Sequence, residues 1–165
     1  MKNIFYIIGS LFIAILINGL ALAEWQTTIK IAGNETGGMT NGEIIIGEAV
    51  KADTKPAPPN APEFSCKIAI PSSDWKTSNA VDIREDDGTL KTWILAINPF
   101  GNATQAAEST VQVSWNSESL GDGNFELREG WKGDGPVLIP NMKSVSNFKV
   151  TGSANADQYF TIVQF

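Results

Sequence analysis

Two stretches alternate apolar with other residues so strictly that they leave little choice of fold. Thr92-Trp93-Ile94-Leu95-Ala96-Ile97 puts Trp93, Leu95 and Ile97 on one side of an extended chain. After a loop, Thr110-Val111-Gln112-Val113-Ser114-Trp115-Asn116 does the same with Val111, Val113 and Trp115, while Gln112 and Ser114 face the other way. A period of two, carried by β-branched and aromatic residues, marks half-buried strands. An indole buries on the order of 150–250 Å², so Trp93 and Trp115 are large enough to centre a core. The pair is read as the middle of a β-sandwich.

The rest of the chain continues in that style. Trp25, Thr27, Ile29 and Ile31 alternate in a first strand over 24–32. Ile44-Ile45-Ile46 lies in a second over 43–50, after the glycine-rich 33–42 loop. Pro56-Ala57-Pro58-Pro59-Asn60-Ala61-Pro62 lacks most of the amides a ladder needs, and is expected along an edge or crossing between sheets. Phe64 to Ile70 is a strand ended by Pro71, and Ser72 to Ser78 is a turn carrying Trp75. Val81 to Arg84 is expected to form a hairpin with Leu90 to Ile97 across Glu85-Asp86-Asp87-Gly88, because Asp-Gly is a strong hairpin signal. Gly121-Asp122-Gly123-Asn124 turns into Phe125 to Arg128, and Gly133-Asp134-Gly135-Pro136 into Val137-Leu138-Ile139. Phe148 to Thr151 and Tyr159 to Phe165 complete the set. About nine short strands with turn chemistry between them, and no helical periodicity, predict an all-β protein: an antiparallel β-sandwich, Ig-like or jelly-roll-like.

Residues 1–23 stand apart. Lys2 precedes an apolar run from Ile4 to Ile17, Asn18-Gly19 interrupts it, and Ala21-Leu22-Ala23 supplies the small residues a signal peptidase reads. This predicts a signal peptide over 1–23, a single sandwich domain over 24–165, and a secreted protein, extracellular or periplasmic, with no membrane contact after cleavage. Beyond residue 23 the chain has 142 of its 165 residues, enough for one domain with a real core. It carries eleven basic and eighteen acidic side chains there, a net charge of −7, which argues against nucleic acid as a partner.

There is no histidine and one cysteine. Ser-His-Asp and Cys-His nucleophile systems are therefore excluded, as are histidine-bearing zinc sites and His-ligated haem. Cys66 cannot form an internal disulfide and reads as a small buried hydrophobe. Carboxylate-pair catalysis needs two acids facing each other across a cleft. The acids here sit mostly in turns, so no catalytic residue and no cofactor is assigned, and the chain is expected not to be an enzyme.

Taken in order, the Pro-Ala-Pro-Pro segment, Asp82-Ile83-Arg84, Trp93-x-Leu95-x-Ile97, Val111-x-Val113-x-Trp115, Phe125-x-Leu127-Arg128 and the aromatic last strand resemble an Ig-like β-sandwich module of secreted and cell-surface bacterial proteins. The resemblance covers most of the chain after residue 23 and implies fold and compartment, not a reaction. It implies a structural or partner-binding role, with a protein partner or self-assembly at the cell surface.

Two groups of residues are candidate sites. Trp75 and Trp131 lie in turns rather than in alternating strands, where an indole stacks on a sugar ring or docks a partner chain, or else caps an open sandwich end. That makes a carbohydrate-binding module the second reading, with a glycan as ligand. Asp82, Glu85, Asp86 and Asp87 crowd six positions, as a calcium loop would, but without EF-hand spacing. A solvated turn explains them more simply, and no metal is assigned. Asn34-Glu35-Thr36 and Asn102-Ala103-Thr104 fit the glycosylation pattern, which arises often by chance. Finally, the apolar stretch 159–165 is expected to be an internal strand rather than an edge completed by another chain, since proteins usually blunt exposed edges with charge.

Overall fold

The computed structural model describes residues 24–32, 42–57, 67–99, 109–152 and 156–165. The expected signal peptide, the Cys66 strand entry, most of the polyproline-like stretch and both glycosylation motifs lie outside the described residues.

Eleven strands run through the described chain, with one 3-10 turn over Ser117–Ser119 and no α-helix. They are β1 (Trp25–Ala32), β2 (Gly42–Ala49), β3 (Asp53–Pro56), β4 (Lys67–Pro71), β5 (Ser78–Glu85), β6 (Thr92–Asn98), β7 (Ser109–Trp115), β8 (Phe125–Glu129), β9 (Val137–Ile139), β10 (Asn147–Gly152) and β11 (Gln158–Gln164). They form one continuous ladder in the order β10-β7-β1-β2-β5-β4-β6-β11-β8-β9, and β3 joins β5 beside that path. The sheet curls strongly, like half a barrel, so that its inner face closes on a single core.

The all-β expectation holds. The antiparallel one holds for every pairing except β2 with β5, which run parallel, Ile45 opposite Val81. Parallel neighbours need a long connection. Here it is supplied by β3, the undescribed stretch and β4.

The expected β5–β6 hairpin is corrected. Asp-Gly does turn there, with Gly88 at φ +73°. The turn, however, is built by the Asp87 carboxylate, which accepts from the Thr89 amide (2.9 Å), and by the Asp86 amide, which donates to the Ala49 carbonyl (3.0 Å). These bonds carry the chain to the next part of the sheet instead of back along β5. β4 then sits between the two strands: Ile70 and Pro71 pair with β5, while Lys67 to Ala69 pair with β6.

Side-chain alternation decides which faces are buried. Thr27, Ile29 and Ile31 of β1, Ile44 and Ile46 of β2, Trp93, Leu95 and Ile97 of β6, and Val111, Val113 and Trp115 of β7 all point inward. β6 and β7 are not neighbours. Each is an interior strand of its own arm of the sheet, and their tryptophans meet different aromatic groups. Trp93 takes the edge of Trp25 at 5.5 Å, and Trp115 lies 6.2 Å from Phe148, which in turn meets Phe160. Aromatic pairs in such tilted arrangements contribute about 0.5–1.5 kcal/mol beyond the area they bury.

Trp25 closes one end of the core. Its Nε1 donates to Glu48 Oε2 (2.9 Å), and Gln164 Nε2 donates to the same oxygen (2.8 Å), so the buried carboxylate is hydrogen-bonded rather than stranded. Two glycines make room. A Cβ on Gly47 would overlap the Trp25 carbonyl oxygen, and one on Gly121 would overlap the Trp25 ring. Gly47→Ala and Gly121→Ala are each expected to cost about 1–3 kcal/mol, the usual penalty of overpacking. Urea unfolding reads this directly, and an unshifted midpoint in both variants would contradict the packing described.

β11 lies between β6 and β8. Phe160 pairs with Leu95 on one side and Glu129 on the other. The last strand is therefore internal, as its uncharged sequence suggests.

Candidate functional site

Trp75 stands on the six-residue loop that joins β4 to β5. Ser72 Oγ donates to Asp74 Oδ1 (2.6 Å) and accepts from the Thr77 amide (3.1 Å), and the Lys76 amide donates to Asp74 Oδ1 (3.1 Å). The Ser72 hydroxyl, and then the Lys76 amide, hold the Asp74 carboxyl below its ordinary range. Inside this knot Trp75 adopts φ +60°, alone among the described non-glycine residues in having positive φ. A bulky residue in that region is an outlier that costs on the order of 1–3 kcal/mol, and such strain gathers at functional sites.

Trp131 comes from the β8–β9 loop, which two bonds tie to β11 and a third closes on β8. The Gly130 amide donates to the Tyr159 carbonyl (2.8 Å), Thr161 Oγ1 donates to the Gly130 carbonyl (2.7 Å), and Arg128 Nη1 donates to the Gly133 carbonyl (3.2 Å). Gly130 takes φ +86°, which the reversal after β8 requires. Phe160 and Ile162 point into the core, so Tyr159 points outward, under the same loop.

The two candidate tryptophans therefore meet. Their centroids are 5.4 Å apart with planes at 84°, and Tyr159 lies 5.6 Å from Trp75 at 76°. Trp75 keeps 46 % of its surface exposed and Trp131 keeps 49 %. Lys132 Nζ sits 5.2 Å from the centroid of the Trp131 ring. The core tryptophans spend their indole N–H groups on protein acceptors: Trp25 on Glu48, Trp93 on the Asp82 carbonyl (3.1 Å) and Trp115 on the Met142 carbonyl (3.0 Å). Among the described residues, neither Trp75 Nε1 nor Trp131 Nε1 donates to anything. The result is a corner of half-exposed rings whose indole N–H groups have no acceptor among the described residues. Tyr159 was missed in the sequence because it sits in a regular strand; its parity opposite Phe160 and Ile162 is the signal that marks it as outward.

The four acids after β5 do not assemble. Asp82 Oδ2 takes Arg84 Nη2 at 3.1 Å, and Asp87 takes the Lys91 ammonium and the Thr89 hydroxyl. Glu85 is exposed, and Asp86 is held through its backbone. Among the described residues no three potential ligands converge on a point. Lys91, and then Thr89, hold the Asp87 carboxyl well below its ordinary range. A depressed carboxylate adds stability above its unfolded pKa of about 3.9 and loses that contribution as pH falls through the folded value. Asp87→Asn is thus expected to flatten the acid limb of a stability–pH curve below about pH 4, read by thermal unfolding at several pH values. An unchanged limb would contradict this pairing.

One open pocket of about 310 Å³ lies away from the corner, lined by Glu24, Trp25, Gln26, Glu48, Ala49 and Ile83. Its walls come from three strands, a long-range arrangement that no local pattern displays.

No family model, no curated protein and no solved structure matches the chain.

Proposed function

We propose that this chain is a secreted, non-enzymatic binding module that works at the cell surface or in an extracellular assembly, and that it binds through the Trp75–Trp131–Tyr159 corner. The two arms of the curled sheet face each other across one core, which supports reading it as an Ig-like sandwich of the kind secreted bacterial proteins carry. The observation that carries the binding role is the corner itself. Two separate loops bring two half-exposed indoles into contact, and one of them is held in a strained conformation. The absence of histidine from the sequence and the pairing of Asp82 and Asp87 with their own cations support a role without catalysis.

The test is binding of labelled protein to envelopes of the cells that produce it. Saturable binding that Trp131→Ala weakens about tenfold or more supports the reading. Binding that the variant leaves unchanged moves the contact elsewhere, and turnover of a glycan, ester or peptide that is lost on carboxylate substitution ends the non-enzymatic account.

The second reading makes the ligand a glycan and the chain a carbohydrate-binding module. It is favoured by two half-exposed indoles whose N–H groups have no acceptor among the described residues, since a sugar presents apolar C–H faces with hydroxyls at its edges.

A further inference from the structure

We infer that the end of the sheet opposite the aromatic corner is a second docking surface, and that its partner is a basic segment of another polypeptide carrying apolar side chains. The inference goes beyond the corner and does not depend on it.

Hydrogen bonds tie four segments into this end. The Asp86 amide donates to the Ala49 carbonyl (3.0 Å), the Gln164 amide donates to the Lys91 carbonyl (2.9 Å), and Asn124 and Phe165 exchange amide–carbonyl bonds (2.8 and 3.0 Å). β11 and β6 set Val163 opposite Thr92, and the Gln164–Lys91 bond continues that register, so Phe165 follows opposite Leu90. Leu90 is 71 % exposed and Phe165 49 %, and Val50, next to the Ala49 bond, is 58 % exposed. Single apolar side chains on a surface are ordinary. Here two stand opposite each other and a third sits on a strand end tied to the same turn, and exposed apolar groups that gather inside a polar rim mark interaction sites.

The charge around the patch selects the partner. Residues 48–51, 85–91, 121–124 and 164–165 hold five carboxylates, Glu48, Glu85, Asp86, Asp87 and Asp122, against Lys51 and Lys91. Lys91 is buried and spent on Asp87, and no lysine or arginine among the described residues forms an ion pair with the other four. Beyond them Lys143 lies over the Phe125 ring and Glu118 sits on the 3-10 turn, so this end stays acidic. A field of one sign attracts the opposite charge and rejects its own. A second copy of the chain, at −7 beyond residue 23, and an anionic lipid surface are both repelled. A segment rich in lysine or arginine is attracted, and its apolar side chains cover Leu90, Phe165 and Val50.

The probe is a short labelled peptide of lysine, leucine and glycine, with two controls: glutamate in place of lysine, and glycine in place of leucine. The full chain is titrated against each by fluorescence anisotropy. The expected result is saturable binding of the lysine–leucine peptide alone, weakened about tenfold in Leu90→Ser/Phe165→Ser and severalfold in Glu85→Gln/Asp122→Asn. All four side chains are exposed, so the variants keep the fold, which circular dichroism verifies. No binding of the lysine–leucine peptide, or binding that survives Leu90→Ser/Phe165→Ser, overturns the inference. Equal binding of the leucine-free peptide overturns it too, because charge alone would then suffice. Self-association of the unaltered chain that Leu90→Ser/Phe165→Ser abolishes, read by size-exclusion elution at several concentrations, makes the occupant a second copy and overturns the basic partner.

Discussion

A chain lacking residues 159–165 is expected not to fold. β11 pairs along its length with β6 on one side and β8 on the other, so its loss severs β8 and β9 from the rest of the sheet. Phe160 and Ile162 lie in the core, and burying each is worth about 1.5–3 kcal/mol. Gln164 supplies one of the two hydrogen bonds that satisfy buried Glu48, and Phe165 exchanges backbone bonds with Asn124 in both directions. Set against a total stability of roughly 5–15 kcal/mol, these losses leave nothing to hold the remaining strands. Circular dichroism and size-exclusion elution of the truncated chain check this. A truncated protein that stays folded and loses only self-association would mean that the last strand serves another chain.

Trp93→Ala carries the next largest effect. Trp93 is fully buried, takes the edge of Trp25, stacks under the Arg84 guanidinium and donates to the Asp82 carbonyl. Truncating a buried tryptophan to alanine costs about 3–5 kcal/mol. For a domain of this size that is a fall in Tm of roughly 10–20 °C. A fall of only a few degrees would mean that the core is centred elsewhere.

Much of the fold was legible because the core faces are written at period two. β1, β6, β7, β9 and β11 fall where alternation or an apolar run places them, and the buried residues are the ones that alternate. Pairing was less legible. Asp-Gly after β5 predicts a hairpin, and Asp87 does turn the chain locally through the Thr89 amide, yet the Asp86 amide donates to the Ala49 carbonyl of β2, a long-range contact that no local rule contains. The parallel β2–β5 pair is a long-range outcome, as is the ladder that β4 shares with β5 and β6. β3 escaped notice because Asp53-Thr54-Lys55-Pro56 is wholly exposed and polar, an edge strand with no apolar face to show.

The site divided in the same way. Exposure of Trp75 and Trp131 followed from their place in turns, whereas their contact depends on two loops meeting across β11. The acids looked like a cluster only because sequence neighbours were counted as spatial ones. Along β5 and the turn after it they are drawn to different partners, Arg84 and Lys91.

If Trp75 is held for binding and not for folding, as we propose, Trp75→Gly separates the two. Glycine accepts φ +60° without strain, a relief on the order of 1–3 kcal/mol. Losing the edge contacts with Trp131 and Tyr159 costs about 0.5–1.5 kcal/mol each, and losing the buried half of the indole about 2–3 kcal/mol more, so the net loss is about 2–3 kcal/mol. Measured together on that variant, Tm should fall by less than about 10 °C while binding at the corner falls about tenfold or more. A drop in Tm as large as that of Trp93→Ala, or binding that persists, would contradict the account.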